Sequence, residues 1–284
     1  QLQLRARIVS YFLCPFFHFH LRRNNKEEAI LEDKKNFTVG VISARGGIGV
    51  SSVALNLGSF LSTNMGEDTI VVELIQGMGT MGRDLGLENF GAITELFDQT
   101  PKKLSEEDVE KALFEHETGV RLLPASENPR DAILNDDLLQ SKSIFLHLNA
   151  LSSFLVVDFG SGLPSLSQSL LKQCDQILIV IDAFSNSIAQ SKILVENLIE
   201  LDIEKEKILI ILNNRIRSEL LLGRSQVEKK IGAPIVTAFT PAPELYSQAT
   251  RKKTTAIIED PKSLTTQQFQ KLAKTIVENE AEEK

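Results

Sequence analysis

Residues 37–59, FTVGVISARGGIGVSSVALNLGS, decide the fold of this chain. An apolar, β-branched run at 37–42 predicts a strand, and the apolar spacing from Val50 onward predicts a helix. Glycines at positions 46, 47 and 49 stand between the two. Glycine lets backbone N–H groups crowd around an anion, and a helix N-terminus adds partial positive charge. This strand–loop–helix arrangement therefore predicts a phosphate-binding loop.

The loop departs at two positions from the common phosphate-binding pattern, G-x-x-x-x-G-K-[ST]. Ala44 stands at the first glycine and Val50 at the lysine, whereas Ser51 keeps the hydroxyl that such loops place on Mg²⁺. Valine has no charge to offer a phosphate. The residues alone leave two interpretations open, a phosphate site or a glycine turn that only packs a strand against a helix.

The segment ARGGIGVSS (44–52) resembles the deviant Walker A loop, K-G-G-x-G-K-[ST], of the MinD/ParA ATPases. The signature lysine of that family reaches the phosphates across a dimer and aligns with Arg45, which keeps the charge. A substituted loop lysine after an A-R-G-G start is most similar to the CpaE/TadZ branch, the localisation factors of Flp/Tad pilus assembly. The resemblance covers roughly residues 37–258. It implies that these loop residues bind the nucleotide: Arg45, Gly46, Gly47, Ile48, Gly49, Val50, Ser51 and Ser52.

Residues 154–158, FLVVD, carry the second strong motif, an apolar strand that ends in Asp158 and is followed by Gly162. This is the form of a Walker B motif, and it matches the D-x-x-x-G of the family. A carboxylate at this point accepts from an Mg²⁺-bound water or from the hydroxyl of Ser51. Asp158 and Ser51 are therefore the predicted metal-site residues.

Two further motifs of the family align with this chain. The N-R pair after the strand at 207–213 falls on Asn214 and Arg215, which implies that the Asn214 amide contacts adenine; an ordinary Asn turn is the alternative. The D-x-D motif after the second strand falls on Glu73 and Ile75. Ile75 has no oxygen ligand to offer. Glu73 either reaches Mg²⁺ through a water or is a strand-end acid in solvent or in a salt bridge.

Short apolar strands alternate with helical segments along the chain. This alternation predicts an α/β, three-layer fold with a mostly parallel sheet of about seven strands, and the resemblance implies that this fold is P-loop NTPase-like. Ligands of such sheets bind at the carboxyl ends of the strands, which the glycine loop, Asp158 and Asn214 all follow. One helical segment, LSEEDVEKALFEH (104–116), has Ser105 as its predicted cap and Phe114 on its apolar side.

We expect three parts in the chain: a disordered N-terminal arm and linker at 1–36, an ATPase-like domain at 37–260, and a C-terminal helix with an acidic tail at 261–284. The linker is predicted from its run of charges. The last helix is predicted from apolar residues at helical spacing. Because the chain begins with Gln, we also expect it to be a piece of a longer protein.

The composition argues against several classes of protein. A net charge of −7 does not indicate a basic surface for nucleic acid, so no nucleic-acid partner is expected. The two cysteines lie far apart, which favours a reduced, cytoplasmic compartment. No run reaches the ~20 apolar residues of a membrane helix, so no integral membrane segment is expected.

The resemblance implies a homodimeric protein that binds ATP or ADP with Mg²⁺. The resemblance implies a localisation or assembly factor with protein partners in a pilus or secretion machine, cytoplasmic and held near the inner membrane by those partners. No catalytic residue is assigned. Losing a charge contact of the lysine type costs ~3–4 kcal/mol in the transition state, so at most slow ATP hydrolysis is expected. The alternatives are a scaffold that binds no nucleotide and, less compatible with the acidic balance, a DNA-partitioning protein.

Overall fold

The computed structural model describes residues 36–75, 78–88, 91–131, 137–216 and 221–283, and within these ranges eight strands form one sheet. The strands are β1 (Phe37–Ser43), β2 (Thr69–Glu73), β3 (Phe114–Glu115), β4 (Arg121–Leu123), β5 (Phe154–Ser161), β6 (Gln176–Ile181), β7 (Ile208–Asn213) and β8 (Ile235–Phe239). Their order across the sheet is β3-β4-β2-β5-β1-β6-β7-β8. Among these strands only β3 and β4 pair antiparallel, which confirms the predicted mostly parallel sheet.

Helices connect the strands and cover both faces of the sheet. They are α1 (Val50–Met65), α2 (Met81–Asp84), α3 (Ala92–Phe97), α4 (Glu106–Ala112), α5 (Leu138–Ala150), α6 (Ser165–Leu171), α7 (Ser185–Glu200), α8 (Arg224–Ile231), α9 (Pro243–Arg251), α10 (Ala256–Glu259) and α11 (Leu264–Glu283). Helices α1, α10 and α11 pack on one face of the sheet, and α3 to α8 pack on the other. This is the predicted three-layer α/β fold.

Strand β2 illustrates why both faces are covered. Ile70 and Val72 pack into the cluster of apolar side chains on one face, and Val71 packs into the cluster on the other. All three are fully buried. Because side chains alternate between the faces of a strand, a continuous apolar run needs helices on both sides of the sheet.

The edge strand β3 accounts for a difference from the sequence prediction. Ser105 caps α4 as predicted, since its hydroxyl oxygen accepts from the Asp108 N–H at 3.2 Å. The helix ends at Ala112, so the placement of Phe114 on the apolar side of this helix is wrong. Phe114 begins β3 instead and pairs with Leu122 of β4. In this short segment, antiparallel pairing with β4 at the edge of the sheet is favoured over continuation of the helix.

The last helix, α11, belongs to the core of the fold. Phe269, Leu272 and Ile276 are fully buried in the same apolar cluster as the side chains of α1. Residues Asn36–Lys284 accordingly form one unit of the chain. The predicted arm and linker, 1–36, lies outside the described residues except for Asn36.

Candidate functional site

The loop between β1 and α1 is shaped by glycines with left-handed backbone conformations. Gly47 has φ of 75°, and Gly49, which directly precedes α1, has φ of 97°. Side chains are strained at such φ values, and a Cβ on Gly49 would come within 2.5 Å of the Asn213 side-chain nitrogen. No side chain caps α1, so the first N–H groups of this 16-residue helix are available to a ligand.

Side chains and backbone groups from neighbouring strand ends hold the loop in place. The Asn213 side-chain N–H donates to the carbonyl of Ile48 at 2.8 Å. The Ser43 hydroxyl donates to the carbonyl of Arg45 at 2.7 Å, and the Gly162 N–H donates to the carbonyl of Ser43 at 2.9 Å. The Ile48 side chain is fully buried in the core, so it is not available to a ligand.

The loop forms one wall of a pocket of about 550 Å³ at the carboxyl edge of the sheet. This volume lies within the ~300–1,000 Å³ typical of small-molecule sites. The pocket brings together most of the predicted contacts, including Val50, Ser51 and Ser52. Its walls are Ser43, Gly46, Gly47, Gly49, Val50, Ser51, Ser52, Thr80, Gly160, Ser161, Asn213, Asn214, Arg215, Thr240, Ala242, Pro243 and Tyr246.

Asp158, at the end of β5, is a fully buried carboxylate beside the pocket. Its Oδ1 accepts from the Gly160 N–H at 2.7 Å, and its Oδ2 has no hydrogen-bond partner among the described residues. Burial raises the pKa of Asp158 to about 6, and the Ser51 hydroxyl and the Gly160 N–H oppose that rise. A buried carboxylate with a spare oxygen next to a hydroxyl fits a hydrated Mg²⁺, as the sequence predicts for Asp158 and Ser51.

Glu73, at the end of β2, is neither solvated nor in a salt bridge. Its carboxylate is fully buried and accepts from the backbone N–H groups of Thr80, Met81 and Ala125. Burial raises the pKa of Glu73 to about 7, with a further contribution from the charge of Asp158, and the three N–H groups lower it. The sequence prediction of an exposed or ion-paired acid is therefore wrong, because backbone groups of the loops after β2 and β4 supply the partners of this carboxylate.

Arg45 does not line the pocket of its own chain. Its guanidinium pairs with the Asp182 carboxylate at 2.9 Å, and it lies beside Phe184 and Ser185 at the start of α7. The Arg45 side chain is 39% exposed and that of Asp182 is 4% exposed. Of the described residues that line the pocket, Arg215 is the only cationic one. The structure thus separates Arg45 from the predicted nucleotide contacts that line the pocket.

At the other end of the pocket, the structure distinguishes two adjacent asparagines. The Asn213 side chain is engaged by the loop, as described above. The Asn214 N–H donates to the carbonyl of Phe239 at 3.1 Å, whereas its side-chain oxygen is buried without a partner among the described residues. Asn214 lines the pocket together with Pro243 and Tyr246. An amide with an unused acceptor beside an aromatic ring suits an adenine base.

Several pocket residues were not predicted from the sequence. Tyr246 lies on α9 and Thr80 in the segment that leads into α2, and neither position belongs to a recognisable motif. The prolines of the T-P-A-P segment at 240–243 are typical of a loop that leads into a helix, and this pattern is the sequence signal that precedes Tyr246. Thr80 gave no signal, because its position depends on the contacts of Glu73.

The described part of the chain contains neither a cluster of metal ligands nor a membrane-spanning helix. No group of three or more His, Cys, Asp or Glu side chains there is arranged to hold a metal ion. Within the same residues, no helix combines the length and the apolar character needed to cross a bilayer. A metal at this pocket would accordingly depend on Asp158, Ser51 and the ligand itself.

Comparison with solved structures identifies the same fold in nucleotide-binding proteins. A ParA family ATPase from Chlorobium tepidum TLS superimposes with a TM-score of 0.73 at 21% identity, over 87% of this chain and 99% of that one. The septum site-determining protein MinD of Pyrococcus horikoshii OT3, complexed with Mg-ADP, gives 0.72 at 20% identity, over 85% and 96%. A chain of the MinC:MinD cell division protein complex of Aquifex aeolicus gives 0.66 at 21% identity, over 85% and 96%.

Comparisons of sequence give no match. No protein-family model matches the chain, and no curated protein matches it. The structural likeness is nevertheless extensive, because it spans nearly the whole length of each of the three solved proteins. The chain has the P-loop NTPase fold of the MinD and ParA ATPases.

Proposed function

We propose that this chain binds ATP or ADP with Mg²⁺ in the pocket beside the glycine loop. The observation that carries the proposal is the Asp158 carboxylate oxygen that has no hydrogen-bond partner among the described residues. It lies next to Ser51, at the uncapped N-terminus of α1. A desolvated carboxylate without a full set of partners is costly in a folded protein. A hydrated Mg²⁺ bound with the phosphates would supply the missing partner and neutralise phosphate charge.

Each side chain has a distinct part in this proposal. The N–H groups of the loop at Gly46, Gly47 and Gly49 and of the first turn of α1 hold the phosphates, as helix N-termini do for other anions. Asp158 and Ser51 hold the metal with its water. Asn214 binds the edge of the base through its free amide oxygen, and the ring of Tyr246 packs against the base.

We propose that bound ATP is hydrolysed slowly or not at all. Val50 offers no charge in place of the loop lysine, and Glu73 is engaged by three backbone N–H groups. Arg45 is tied to Asp182. Since removing one preorganised charge contact lowers catalytic rates by ~10²–10³, the absence of several leaves little transition-state stabilisation.

The cellular role we propose follows the resemblance to CpaE/TadZ proteins. The chain acts as a localisation or assembly factor for a Flp/Tad-type pilus or a secretion machine, on the cytoplasmic side, through protein partners. The chain forms a homodimer, and its nucleotide state governs its binding to these partners. In such a dimer the pair with Asp182 holds Arg45 back from the pocket of the other copy, which the signature lysine of the resembled family reaches.

The second candidate is a scaffold that binds partners and no nucleotide. Val50 and the Arg45–Asp182 pair favour it, because both remove positive charge from the pocket. The two candidates differ in a single measurable property, the affinity for nucleotide in the presence of Mg²⁺.

Calorimetric titration of ATP and ADP with Mg²⁺ tests the proposal. The wild-type chain should bind ATP in the micromolar range, and Gly49→Arg should abolish binding because it fills the loop. Gly66→Arg is the matched control: Gly66 has φ of 76° at the opposite end of α1 and nothing within 4 Å of a Cβ, so binding should persist. No binding by the wild-type chain up to millimolar ATP would establish the scaffold instead.

A further inference from the structure

Two loops that follow different strands are joined at the carboxylate of Glu73. Its Oε1 accepts from the N–H of Thr80 at 3.1 Å and of Met81 at 3.2 Å, both in the segment after β2. Its Oε2 accepts from the N–H of Ala125 at 3.1 Å, after β4. Because the carboxylate is fully buried, water does not compete for these hydrogen bonds.

Gly79 shows how closely these two loops approach. Its N–H donates to the carbonyl of Ser126 at 2.8 Å. A Cβ at this position would lie 2.4 Å from the carbonyl oxygen of Ala125 and 2.9 Å from Oε2 of Glu73. Backbone atoms cannot yield to such a contact as a flexible side chain would. The segment through Thr80 is therefore held rigidly against the loop after β4.

Thr80 is an exposed residue that lines the nucleotide pocket. The sheet order places Thr80 on the β2–β5 side of the glycine loop, the side on which β5 ends, whereas Asn214 and Thr240 lie on the β7–β8 side. If the base occupies the Asn214 side, the phosphate chain runs across the loop and its last phosphate lies nearest to Thr80. A hydroxyl can donate to a phosphate oxygen there.

We propose that the Thr80 hydroxyl donates to the terminal phosphate of a bound nucleoside triphosphate, and that Glu73 is the positioning residue that holds Thr80 at this point. The inference rests on the proposed function and deepens it. This hydrogen bond would make the pocket bind a nucleoside triphosphate more tightly than a diphosphate. Glu73 acts through the backbone of Thr80, so the carboxylate itself does not contact the ligand.

The test is the ratio of ATP affinity to ADP affinity, measured by calorimetry with Mg²⁺. Thr80→Val should weaken ATP binding by about tenfold, the effect of one hydrogen bond to a charged group, and leave ADP binding within about twofold. Thr80→Ser keeps the hydroxyl and should retain the wild-type ratio. Glu73→Ala should match Thr80→Val, and Glu73→Gln should restore the ratio in part, because its amide oxygen can still accept from Thr80 and Met81.

Two further variants separate positioning from folding. Glu127→Gln is the control, because the exposed Arg83–Glu127 pair joins the same two loops without touching the pocket. Its affinity ratio should equal that of the wild type. If Glu73→Ala does not fold, Gly79→Ala separates the loops while leaving the carboxylate intact. It should lower the ATP-to-ADP affinity ratio and speed hydrogen exchange at the Thr80 and Ala125 amides.

The possible failures are distinguishable. Equal effects of Thr80→Val on ATP and ADP, or no effect on either, would overturn the inference and leave the proposed function standing. A wild-type chain that binds neither nucleotide would overturn both.

Discussion

At the scale of single residues, the burial of Asp158 lowers the stability of the fold while leaving a carboxylate oxygen available to a metal ion. The carboxylate is buried at the centre of the sheet edge, where its charged form lacks a full set of hydrogen-bond donors. Its pKa is raised from the ordinary 3.8 to about 6, with burial as the principal cause. The folded protein therefore holds a proton on Asp158 more tightly than the unfolded chain does. Stability from this group is present below pH 4 and is lost as the pH rises through 6.

Asp158→Asn should accordingly stabilise the metal-free chain. At pH 8 the expected gain in the free energy of unfolding is roughly 3 kcal/mol, and at pH 5 about half of that, from the difference between the folded and unfolded pKa values. Urea unfolding at both pH values measures it. The same variant should lose the Mg²⁺-dependent part of ATP binding. A variant that is less stable than the wild type at pH 8 would contradict this reading of the carboxylate.

At the residue scale, the sequence indicates which residues lie together where a motif is local, and it does not indicate partners that other parts of the chain supply. The loop glycines, Ser51 and Asp158 lie together as their spacing indicates. Arg45 pairs with Asp182, which is 137 positions away, and no local pattern announces such a pair. Glu73 likewise obtains its donors from two loops. Its neighbour Asp158 in the strand register, by contrast, could be anticipated from parallel strands that end at one edge.

At the scale of elements, the apolar periodicity of helix α11 predicts the helix but not the surface on which it packs. The apolar spacing predicts the helix, and the structure confirms it over Leu264–Glu283. Its partner could not be predicted, because amphipathic spacing does not say which surface a helix covers. Phe269 packs against Phe239 of β8 with ring centroids 4.5 Å apart. Strand β3 was not predicted, because a strand of two residues is too short to show an alternating pattern of apolar and polar residues.

Phe269→Ala should destabilise the whole domain. Loss of a fully buried phenylalanine typically costs about 3–5 kcal/mol, whereas Leu264→Ala, at a side chain 54% exposed, should change stability by less than about 0.5 kcal/mol. Urea unfolding followed by circular dichroism compares the two variants. A single cooperative transition shifted to lower urea is expected. A separate early transition for the last helix alone would contradict its place in the common core.

At the scale of the whole molecule, the fold gathers the site from parts that are distant in sequence. The loop after β1, the ends of β5 and β7 and the start of α9 meet at one edge because parallel strands end there together. The sequence predicted this edge and the layers around it. It did not predict that Arg45 and Glu73 are engaged in contacts within the chain. Those contacts are the reason to expect binding without rapid turnover.

The most direct test of binding without turnover is equilibrium dialysis of labelled ATP against the chain with Mg²⁺, with the nucleotide in the protein chamber identified by chromatography. We predict that label accumulates with the protein and remains ATP over an hour. Gly49→Arg should show no accumulation, and Gly66→Arg should behave as the wild type. Label that accumulates as ADP within minutes, or that does not accumulate with the wild-type chain, would contradict the account.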